Sequence, residues 1–426
     1  MLPIKNWAEN FSFTPSHTHA PRNLSELQSA VLKARDLNQS IRVRGSGHSW
    51  NPLIASDEHY LHLDHLQGIT SVDPQAKRAR VLAGTKLHRL GDEAFKHRLA
   101  MINQGDINRQ SLAGATSTGT HGTGLTLQSI SNQITWLSYV DAQGELRESK
   151  LGDPDFNALR LSLGSLGVLH EIELQLTESY QLKEETMLKR RGEFLETIQN
   201  DIKENRHFEL FYFPVGDWAL VKKMNPTQEV IEQSALSAFI QKHLEGPVYE
   251  ALNVLATHSR SYAFCDRIMQ SFISHQARSG WSHEIFPSNR DIRFMEMEYN
   301  LPLENFTQAF DEIVAFIKKH HIQTLFPIEI RFVKADDIWL SPAYQRASVY
   351  FAIHTYRGED HRFYFEGVQE IFKQFQGRPH WGKWHSLKTR DFTTLYPRFE
   401  DFRNLRQQLD PKGVFLNDYL KEILAS

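Results

Sequence analysis

The sequence is short of several features, and each shortage excludes a class of protein. A single cysteine, Cys265, excludes disulfide bonds within the chain and zinc sites built from cysteine. No run approaches the ~20 consecutive apolar residues that span a bilayer, and the N-terminus lacks the apolar stretch of a signal peptide. A net charge of −3 shows no basic excess, which argues against nucleic acid as a partner. We expect a soluble, cytoplasmic protein, with association to a membrane surface left open.

Helical and strand patterns mix along the 426 residues, which are enough for two domains and indicate an α+β fold. A capping box at residues 23–26 begins a helix, and further helices are predicted at Leu87–Arg98, Pro154–Leu163, Leu303–His320 and Asp360–Phe375. Predicted strands are Ile41–Val43, Ile69–Val72, Ala79–Ala83, Ile134–Val140, Leu169–Leu176, Phe208–Phe213, Phe294–Tyr299, Phe326–Val333 and Val349–Tyr356.

Two parts of the middle region carry more specific expectations. The alternation in Phe208–Phe213 and Phe294–Tyr299 predicts strands with one buried face each. The stretch Ile231–Arg278 is mostly helical in pattern and rich in aromatic residues, which we interpret as packing inside a cap domain. A surface that faces a membrane or a partner is the alternative.

The most informative stretch is Arg44-Gly45-Ser46-Gly47-His48-Ser49, directly after a predicted strand. Two glycines permit a tight turn, successive backbone N–H groups form a concavity for an anion, and Arg44 suits phosphate. A pyrophosphate would fit there. The third glycine of a Rossmann fingerprint is absent and no helix pattern follows, so the loop is of another type. An ordinary Gly/Ser turn with a surface histidine is the alternative.

A second loop rich in glycine and threonine runs from Gly114 to Gly124. With it, the chain resembles the flavin-linked oxidases of the vanillyl-alcohol-oxidase type. Two later segments, His380-Trp381-Gly382-Lys383 and residues 410–417, are similar to signatures of the branch that contains gulonolactone, arabinonolactone and alditol oxidases. The resemblance runs through the whole chain in order and is weakest over residues 180–290.

The resemblance implies an FAD-binding domain of the PCMH type with two subdomains over residues 1–177. It implies a substrate-binding cap domain of mixed sheet and helix over 178–384, and a C-terminal segment, 385–426, that packs on the FAD domain. It further implies a covalent bond from His48 to the flavin 8-methyl carbon. The implied FAD contacts are Arg44, Gly45, Ser46, Gly47, His48, Ser49, Ser111, Gly114, Thr116, Ser117, Gly119, Thr120, His121, Gly122, Gly164, Gly167, Val168 and Ile172.

Glu329 and Arg331 lie two residues apart on a predicted strand and therefore share a face. By the resemblance they form the substrate-binding Glu-x-Arg pair, and Lys383 is a second cation at the site. Glu329 would accept hydrogen bonds from substrate hydroxyls, while Arg331 and Lys383 would stabilise negative charge that develops on the substrate and flavin. Without the resemblance, a surface ion pair worth under ~1 kcal/mol is the simpler interpretation of Glu329 and Arg331.

Three further positions carry expectations. Asp106 stands where many relatives have serine beneath the flavin, so it either brings negative charge to the substrate or caps a nearby backbone amide. Gly105, a residue without a side chain, is expected to leave oxygen a route to the flavin. His354 is either a substrate contact or a hydrogen-bonded core histidine. We expect no metal, since His380, His385 and Glu329 lack the spacing of a zinc site.

With the resemblance, these residues predict an FAD-dependent oxidase of a CH–OH group, acting by hydride transfer to flavin N5 and releasing hydrogen peroxide from O2. The resemblance implies an aldono-1,4-lactone such as L-gulono- or D-arabinono-1,4-lactone as the substrate. An alditol oxidase, a dye- or cytochrome-coupled dehydrogenase and a non-catalytic flavoprotein are the alternatives.

Overall fold

The computed structural model describes residues 3–231, 245–273, 275–288 and 292–424. Its helices are α1 Leu24–Asp36, α2 Leu87–Lys96, α3 Leu112–Ser117, α4 Phe156–Leu159, α5 Arg191–Glu204, α6 Glu245–Ser259, α7 Tyr262–Phe272, α8 Ser282–Ile285, α9 Phe306–Lys319, α10 Arg362–Gln374, α11 Thr389–Leu395, α12 Phe399–Leu409 and α13 Asp418–Leu424. No helix among these residues is both long and apolar enough to cross a bilayer.

The strands of the N-terminal half are short. They are β1 Ile4–Lys5, β2 Ser12–Phe13, β3 His17–His19, β4 Ile41–Arg44, β5 His59–His62, β6 Ile69–Asp73, β7 Arg78–Leu82, β8 Leu99–Ala100, β9 Ile134–Val140, β10 Leu146–Lys150, β11 Val168–Gln175 and β12 Thr177–Glu178. Here β3, β5 and β4 form a parallel sheet, and a separate antiparallel sheet has the order β10-β9-β11-β7-β6.

The remaining strands belong to one sheet. They are β13 Gln181–Arg190, β14 His207–Phe213, β15 Trp218–Thr227, β16 Gln276–Trp281, β17 Phe294–Pro302, β18 Ile328–Val333, β19 Ser348–Tyr356 and β20 Arg378–Pro379. Within the described residues their order is β16-β13-β15-β14-β18-β19-β17-β20. The mixture of helices with these sheets confirms the α+β class.

One face of the large sheet is apolar and lies under three helices. Phe194 of α5 packs edge-on against Tyr212 of β14, with ring centroids 6.3 Å apart. Phe306 of α9 lies 6.0 Å from Phe351 of β19, and α10 contributes Phe372, 5.9 Å from the same ring. Removing these aromatic surfaces from water is the main stabilising term for this layer.

The opposite face of the sheet is buried too, so the expectation of one buried face in β14 and β17 is wrong. Every residue of β17 is buried, including Glu296 and Glu298. The N-terminal half covers this face: Gly124 N donates to Phe332 O at 2.7 Å, and Trp50 Nε1 donates to Phe294 O at 2.8 Å. The charged side chains tolerate burial because they pair with one another.

Most predicted elements begin and end within two residues of their expected bounds, and the exceptions have local causes. The helix expected at Pro154–Leu163 is confined to Phe156–Leu159, because the chain turns at Leu163, whose φ is 55°. The long strands β13 and β15 were missed because polar residues interrupt their apolar pattern. A strand without one clearly solvated face shows no regular alternation of apolar and polar residues.

The expectation for Ile231–Arg278 has a mixed outcome. Its residues 232–244 and 274 lie outside the described residues, and the rest forms α6, α7 and the start of β16. Tyr249 packs against Phe326 at 5.3 Å, as expected for a core residue. Phe264 and Phe272 are more than half exposed, so the core interpretation is wrong for them. They face away from the α6–α7 packing, which the sequence pattern did not reveal.

The C-terminal segment returns to the strand that leads into the first loop. Ile41 N donates to Val414 O at 2.7 Å, and Asn417 Nδ2 donates to Pro52 O at 2.9 Å. Arg42 is fully buried and donates from Nη1 to Phe415 O at 2.6 Å. These hydrogen bonds attach the C-terminal tail to β4 and to the residues that follow the first loop. The exact domain boundaries at residues 177 and 384 stay a prediction.

Candidate active site

The first loop leaves β4 and turns back against the second loop. Gly47 adopts a left-handed backbone with φ of 76°, and a Cβ on Gly45 would lie 2.3 Å from Ser111 Oγ. Glycine is therefore required at both positions, for conformation in one case and for space in the other. Lys86 Nζ donates to Ser46 Oγ at 3.1 Å, which brings a second cation to the turn.

Both loops and the turn before β11 line one pocket. Most of the expected FAD contacts line it, namely Arg44, Gly45, Ser46, Gly47, His48, Ser49, Ser111, Gly114, Ser117, Gly164, Gly167 and Val168. The sequence did not suggest the other lining residues, which are Arg42, Val43, Leu53, Ile54, Leu63, Gln110, Ala113, Thr118, Leu163 and Leu169. Thr118 lies inside the second glycine loop, and Leu53, Ile54 and Leu63 are apolar residues outside any glycine turn, so the sequence carried no signal for those three.

The other expected FAD contacts lie outside the pocket lining: Thr116, Gly119, Thr120, His121, Gly122 and Ile172. Thr116 Oγ1 donates to Leu112 O at 3.0 Å, so its hydroxyl serves the helix α3. Ile172 is fully buried within β11. His121 Nε2 lies 3.1 Å from Glu298 Oε1 of the large sheet. The role of these residues toward the cofactor stays a prediction.

The groups in the pocket fit FAD. Arg44 Nε and His48 Nδ1 are buried and meet no hydrogen-bond partner among the described residues. Leaving such atoms unpaired is costly, so a ligand is expected to satisfy them. The Arg44 guanidinium and the Lys86 ammonium complement a pyrophosphate in charge, and the glycine turn admits its approach.

His48 is held against the N-terminal segment. Its ring stacks on Trp7 with centroids 5.3 Å apart and an angle of 28°, while Trp7 N donates to Gly47 O at 2.8 Å. Burial, and then the positive charge of Lys383, lowers the pKa of His48 to about 4. The imidazole is therefore neutral at pH 7, the state in which a ring nitrogen has a lone pair available to bond with carbon.

The charged residues of the candidate site that belong to the large sheet share one face. Strand register pairs Glu209 with Arg331 across β14 and β18, and Glu296 with His354 across β17 and β19. Glu329 lies two residues from Arg331 and therefore points the same way. This polar face meets the N-terminal half, which carries the pocket.

Glu329 and Arg331 are in direct contact: Arg331 Nη2 binds Glu329 Oε1. Arg331 Nε also donates to Glu209 Oε2 at 3.1 Å. Burial alone would lower the pKa of Arg331, but the carboxylates of Glu329, Glu209 and Asp106 raise it above its ordinary value. The alternative of a surface ion pair is wrong, because Glu329 is only 6% exposed.

Lys383 joins the sheet to the first loop. Its Nζ donates to Glu296 Oε2 at 2.5 Å and lies 4.1 Å from the centroid of the Trp50 ring. The neighbouring Gly382 O accepts from Trp50 N at 2.8 Å. Burial would raise the pKa of the Glu296 carboxyl, but Lys383 and then His354 hold it below its ordinary value.

Asp106 faces the cations of this cluster. Its carboxylate accepts from Ser288 Oγ at 2.8 Å, and it lies 3.8 Å from Arg331 Nη2 and 3.9 Å from Lys222 Nζ. This arrangement favours the first interpretation of Asp106, in which it brings negative charge to the site. Gly105, the preceding residue, lies against the second loop, since a Cβ there would be 2.9 Å from Thr120 Cγ2.

Lys222 of β15 is a buried cation that the sequence did not reveal. Its Nζ lies 3.3 Å from Glu184 Oε2 and 3.2 Å from Glu209 Oε1. Burial would lower the pKa of Lys222, but Glu184, Glu209 and Asp106 raise it above its ordinary value. The doublet Lys222-Lys223 was a usable signal. Adjacent residues of a strand point to opposite faces of the sheet, so in a strand with a buried face one of the two lysines must point inward.

The structure does not favour a metal at the histidines of the C-terminal motif. His380 Nδ1 accepts from Gly382 N at 3.0 Å, and His385 Nε2 pairs with Tyr419 OH at 2.9 Å. In the described part of the chain, no group of histidine, cysteine or acidic side chains has metal-binding geometry.

Family models match both halves of the chain. A model described as an FAD binding domain matches residues 15–150. With the fold and the pocket, this match makes the protein an FAD-linked oxidoreductase, and FAD its cofactor. A second model, described as D-arabinono-1,4-lactone oxidase, matches residues 172–423, and the chain belongs to that family.

Curated relatives extend over the whole chain. L-gulono-1,4-lactone dehydrogenase of Mycobacterium tuberculosis is 34% identical over 100% of both chains. L-gulonolactone oxidase of Mus musculus is 30% identical over 99% of this chain and 98% of its own. Alditol oxidase of a Streptomyces species is 28% identical over 99% of both.

A solved structure shares the fold. A cholesterol oxidase from Brevibacterium sterolicum superposes with a TM-score of 0.83 at 17% identity, over 99% of this chain and 96% of its own. At that identity the likeness concerns the fold alone.

Proposed function

We propose that the protein oxidises a CH–OH group of a neutral aldono-1,4-lactone, such as L-gulono- or D-arabinono-1,4-lactone. The observation that carries the proposal is that Glu329 and Arg331 lie on the sheet face that Lys383 reaches through Glu296, and that Lys383 also lies against the loop of His48. Whole-chain similarity to two gulonolactone-oxidising enzymes supports the lactone.

FAD supplies the acceptor for the hydride that leaves the substrate carbon. Glu329 accepts hydrogen bonds from substrate hydroxyls. Arg331 and Lys383 stabilise negative charge as it develops on the substrate oxygen, and burial strengthens this effect by excluding water. Each cation already faces a carboxylate, Glu329 or Glu296, and Glu209 and Asp106 also lie beside Arg331, so the site has no excess of positive charge with which to attract an anion. A neutral molecule rich in hydroxyls is therefore the favoured substrate.

An alditol is the second candidate. The 28% identity to an alditol oxidase, over nearly the whole of both chains, favours it. Alditols and lactones share neutrality and neighbouring hydroxyls, so the polar contacts described above suit both. A flavoprotein without catalysis is disfavoured, because a protein that only binds FAD has no use for a buried Glu329, Arg331 and Lys383 together.

A substrate panel tests the proposal. The holoenzyme is mixed without oxygen with lactones, with alditols and with the sodium salts of the corresponding acids, and the flavin absorbance is followed. We expect rapid bleaching by a lactone, slower bleaching by alditols and none by the acids. Bleaching by the acids alone, or by no member of the panel, would contradict the proposal.

The first prediction concerns a covalent bond between His48 and FAD. Because His48 lines the FAD pocket with a neutral imidazole whose Nδ1 meets no hydrogen-bond partner among the described residues, we expect the bond to form and the flavin to stay with the protein after acid precipitation. His48→Ala should retain FAD in the native state and release all of it into the acid supernatant. His207→Ala, which removes another buried histidine away from the pocket, is the control. A colourless wild-type pellet would disprove the bond without disproving FAD binding.

A second prediction concerns the electron acceptor, which we propose to be O2 with release of hydrogen peroxide. Gly105→Ala should slow peroxide formation several-fold more than it slows dye reduction, because a methyl group would narrow access to the flavin. The added Cβ would lie 2.9 Å from Thr120 Cγ2. The double variant Gly105→Ala/Thr120→Ser therefore tests the methyl group without this clash.

Two further results test whether Gly105 controls the access of oxygen to the flavin. Gly192→Ala, where a Cβ meets nothing within 4 Å, should leave both acceptor rates unchanged. Equal slowing of peroxide formation and dye reduction in the double variant would argue that Gly105 serves packing and not oxygen access.

A further inference from the structure

The tautomer of His354 follows from its backbone partner. His354 Nδ1 lies 2.9 Å from Pro327 O, and a carbonyl oxygen can only accept a hydrogen bond. Nδ1 therefore carries the hydrogen. In the neutral imidazole, Nε2 consequently has the lone pair and can accept a proton.

Two carboxylates surround this acceptor. His354 Nε2 lies 3.6 Å from Glu296 Oε1 and 4.0 Å from Glu329 Oε2. The rings of Phe294 and Phe326 pack on other sides of the imidazole at 5.1 and 6.5 Å. A proton on Nε2 would thus sit between two negative charges in a largely apolar wall, where Coulomb attraction is stronger than in water.

The other bases nearby are already engaged. Glu329 is bound by Arg331, and Glu296 by Lys383, which makes both carboxylates weak proton acceptors. His121 has acceptors at both ring nitrogens, Glu298 at Nε2 and Gly122 O at Nδ1. His380 Nδ1 accepts from a backbone N–H, and burial lowers the pKa of His380 to about 3. These contacts engage the other bases more tightly than the contacts of 3.6 and 4.0 Å engage Nε2 of His354.

We propose that His354 Nε2 accepts the proton of the substrate hydroxyl during oxidation. The O–H bond breaks and an Nε2–H bond forms, while the O–H bonding pair becomes the second bond of the new carbonyl. The hydrogen on the same carbon leaves with its two electrons to FAD, so atoms and electrons balance. Glu296 and Glu329 then stabilise the imidazolium until it releases its proton to water. This role rests on the proposed function.

The variant His354→Gln tests the step, since glutamine can hydrogen-bond but cannot take a proton at neutral pH. We expect flavin reduction without oxygen to slow at least about 100-fold, within the range of general-base catalysis. Substrate affinity, taken from the saturation of that rate, should change by less than about threefold. His207→Gln is the matched control, because His207 Nδ1 also meets a carbonyl, Thr123 O at 2.8 Å, yet its ring packs on Phe286.

A solvent isotope effect separates proton transfer from a structural effect. In the wild type, reduction should slow in D2O, because the hydroxyl proton that moves to Nε2 exchanges with solvent. The charged groups that face Nε2 are Glu296 and Glu329, backed by Lys383 and Arg331. His354→Gln should lose this isotope effect. A wild-type rate in the variant, or a loss confined to affinity, would overturn the proposal. Failure of the wild type with every substrate would instead overturn the proposed function.

Nitrogen-15 spectra of histidine-labelled holoenzyme give a readout that needs neither turnover nor a stable variant. The His354 signals should report hydrogen on Nδ1 and a bare Nε2 in the resting holoenzyme. Hydrogen on Nε2, with or without hydrogen on Nδ1, would refute the proposal.

Discussion

Lys383→Met is expected to slow flavin reduction by substrate 10²–10³-fold, a loss of about 2.7–4 kcal/mol, the range seen when one preorganised stabilising group is removed. Methionine matches the stem of lysine in length but supplies no charge to the substrate oxygen. The ammonium lies 4.1 Å from the Trp50 ring and is only 14% exposed, so water is a poor replacement for it. Stopped-flow measurement without oxygen isolates this step from reoxidation.

Part of the loss of rate in Lys383→Met can come from Glu296, the partner of Lys383. Removing the lysine leaves Glu296 buried without its cation, which can itself destabilise the site. Lys383→Met/Glu296→Gln removes both charges and should be at least as slow as the single variant. Lys388→Met breaks an exposed pair with Glu422 and should reduce at the wild-type rate. If Lys383→Met also reduces at that rate, Lys383 does not act in the reaction.

Glu329→Gln is expected to have an effect of similar size, about 2.7–4 kcal/mol in the free energy of activation for flavin reduction. Glutamine keeps the shape of glutamate and one acceptor oxygen. Because it has no charge, it accepts weaker hydrogen bonds from substrate hydroxyls than the Glu329 carboxylate does. The change also removes one of the carboxylates that orient Arg331. Rates and affinities for a lactone and an alditol, measured in parallel, show which hydroxyl arrangement depends on Glu329.

A matched surface change guards against a general charge effect. Glu370→Gln alters an exposed carboxylate that pairs with Lys373 and should leave the rate unchanged. If the flavin of Glu329→Gln is reduced at the wild-type rate, the candidate site is misplaced. A loss of rate with lactones but not with alditols would reverse our order of substrates.

The sequence predicted the elements whose signals are local. A capping asparagine begins α1, where Asn23 Oδ1 accepts from Glu26 N, and hairpins form at the expected turns. The glycine loops were recognisable because a tight turn that a ligand approaches closely requires glycines at nearby positions, and this is a local pattern in the sequence. The shared face of Glu329 and Arg331 followed from their spacing on one strand, but their place in a site rested on the resemblance, because the spacing alone also fits a surface ion pair.

Long-range pairing was beyond the sequence. The pattern of Phe294–Tyr299 alternates charge with apolar residues, which is equally typical of a strand with a wet face and of one that packs two different layers. Only strand order reveals that Glu296 lies next to His354 and beneath Lys383. The place of Lys222 between Glu184 and Glu209 depends in the same way on β15 pairing with both β13 and β14.

The buried cluster around Lys222 has a consequence for how this site can change over generations. Asp106, Glu184 and Glu209 share Lys222, and Arg331 shares two of them. Replacing Asp106 by serine alone would leave the two cations with one anion fewer in a largely buried space. Substitutions here should therefore be epistatic, with single changes harmful and compensated pairs tolerated. A library that varies positions 106, 184, 209 and 222 together should yield folded enzymes of altered specificity that one-site mutagenesis would miss.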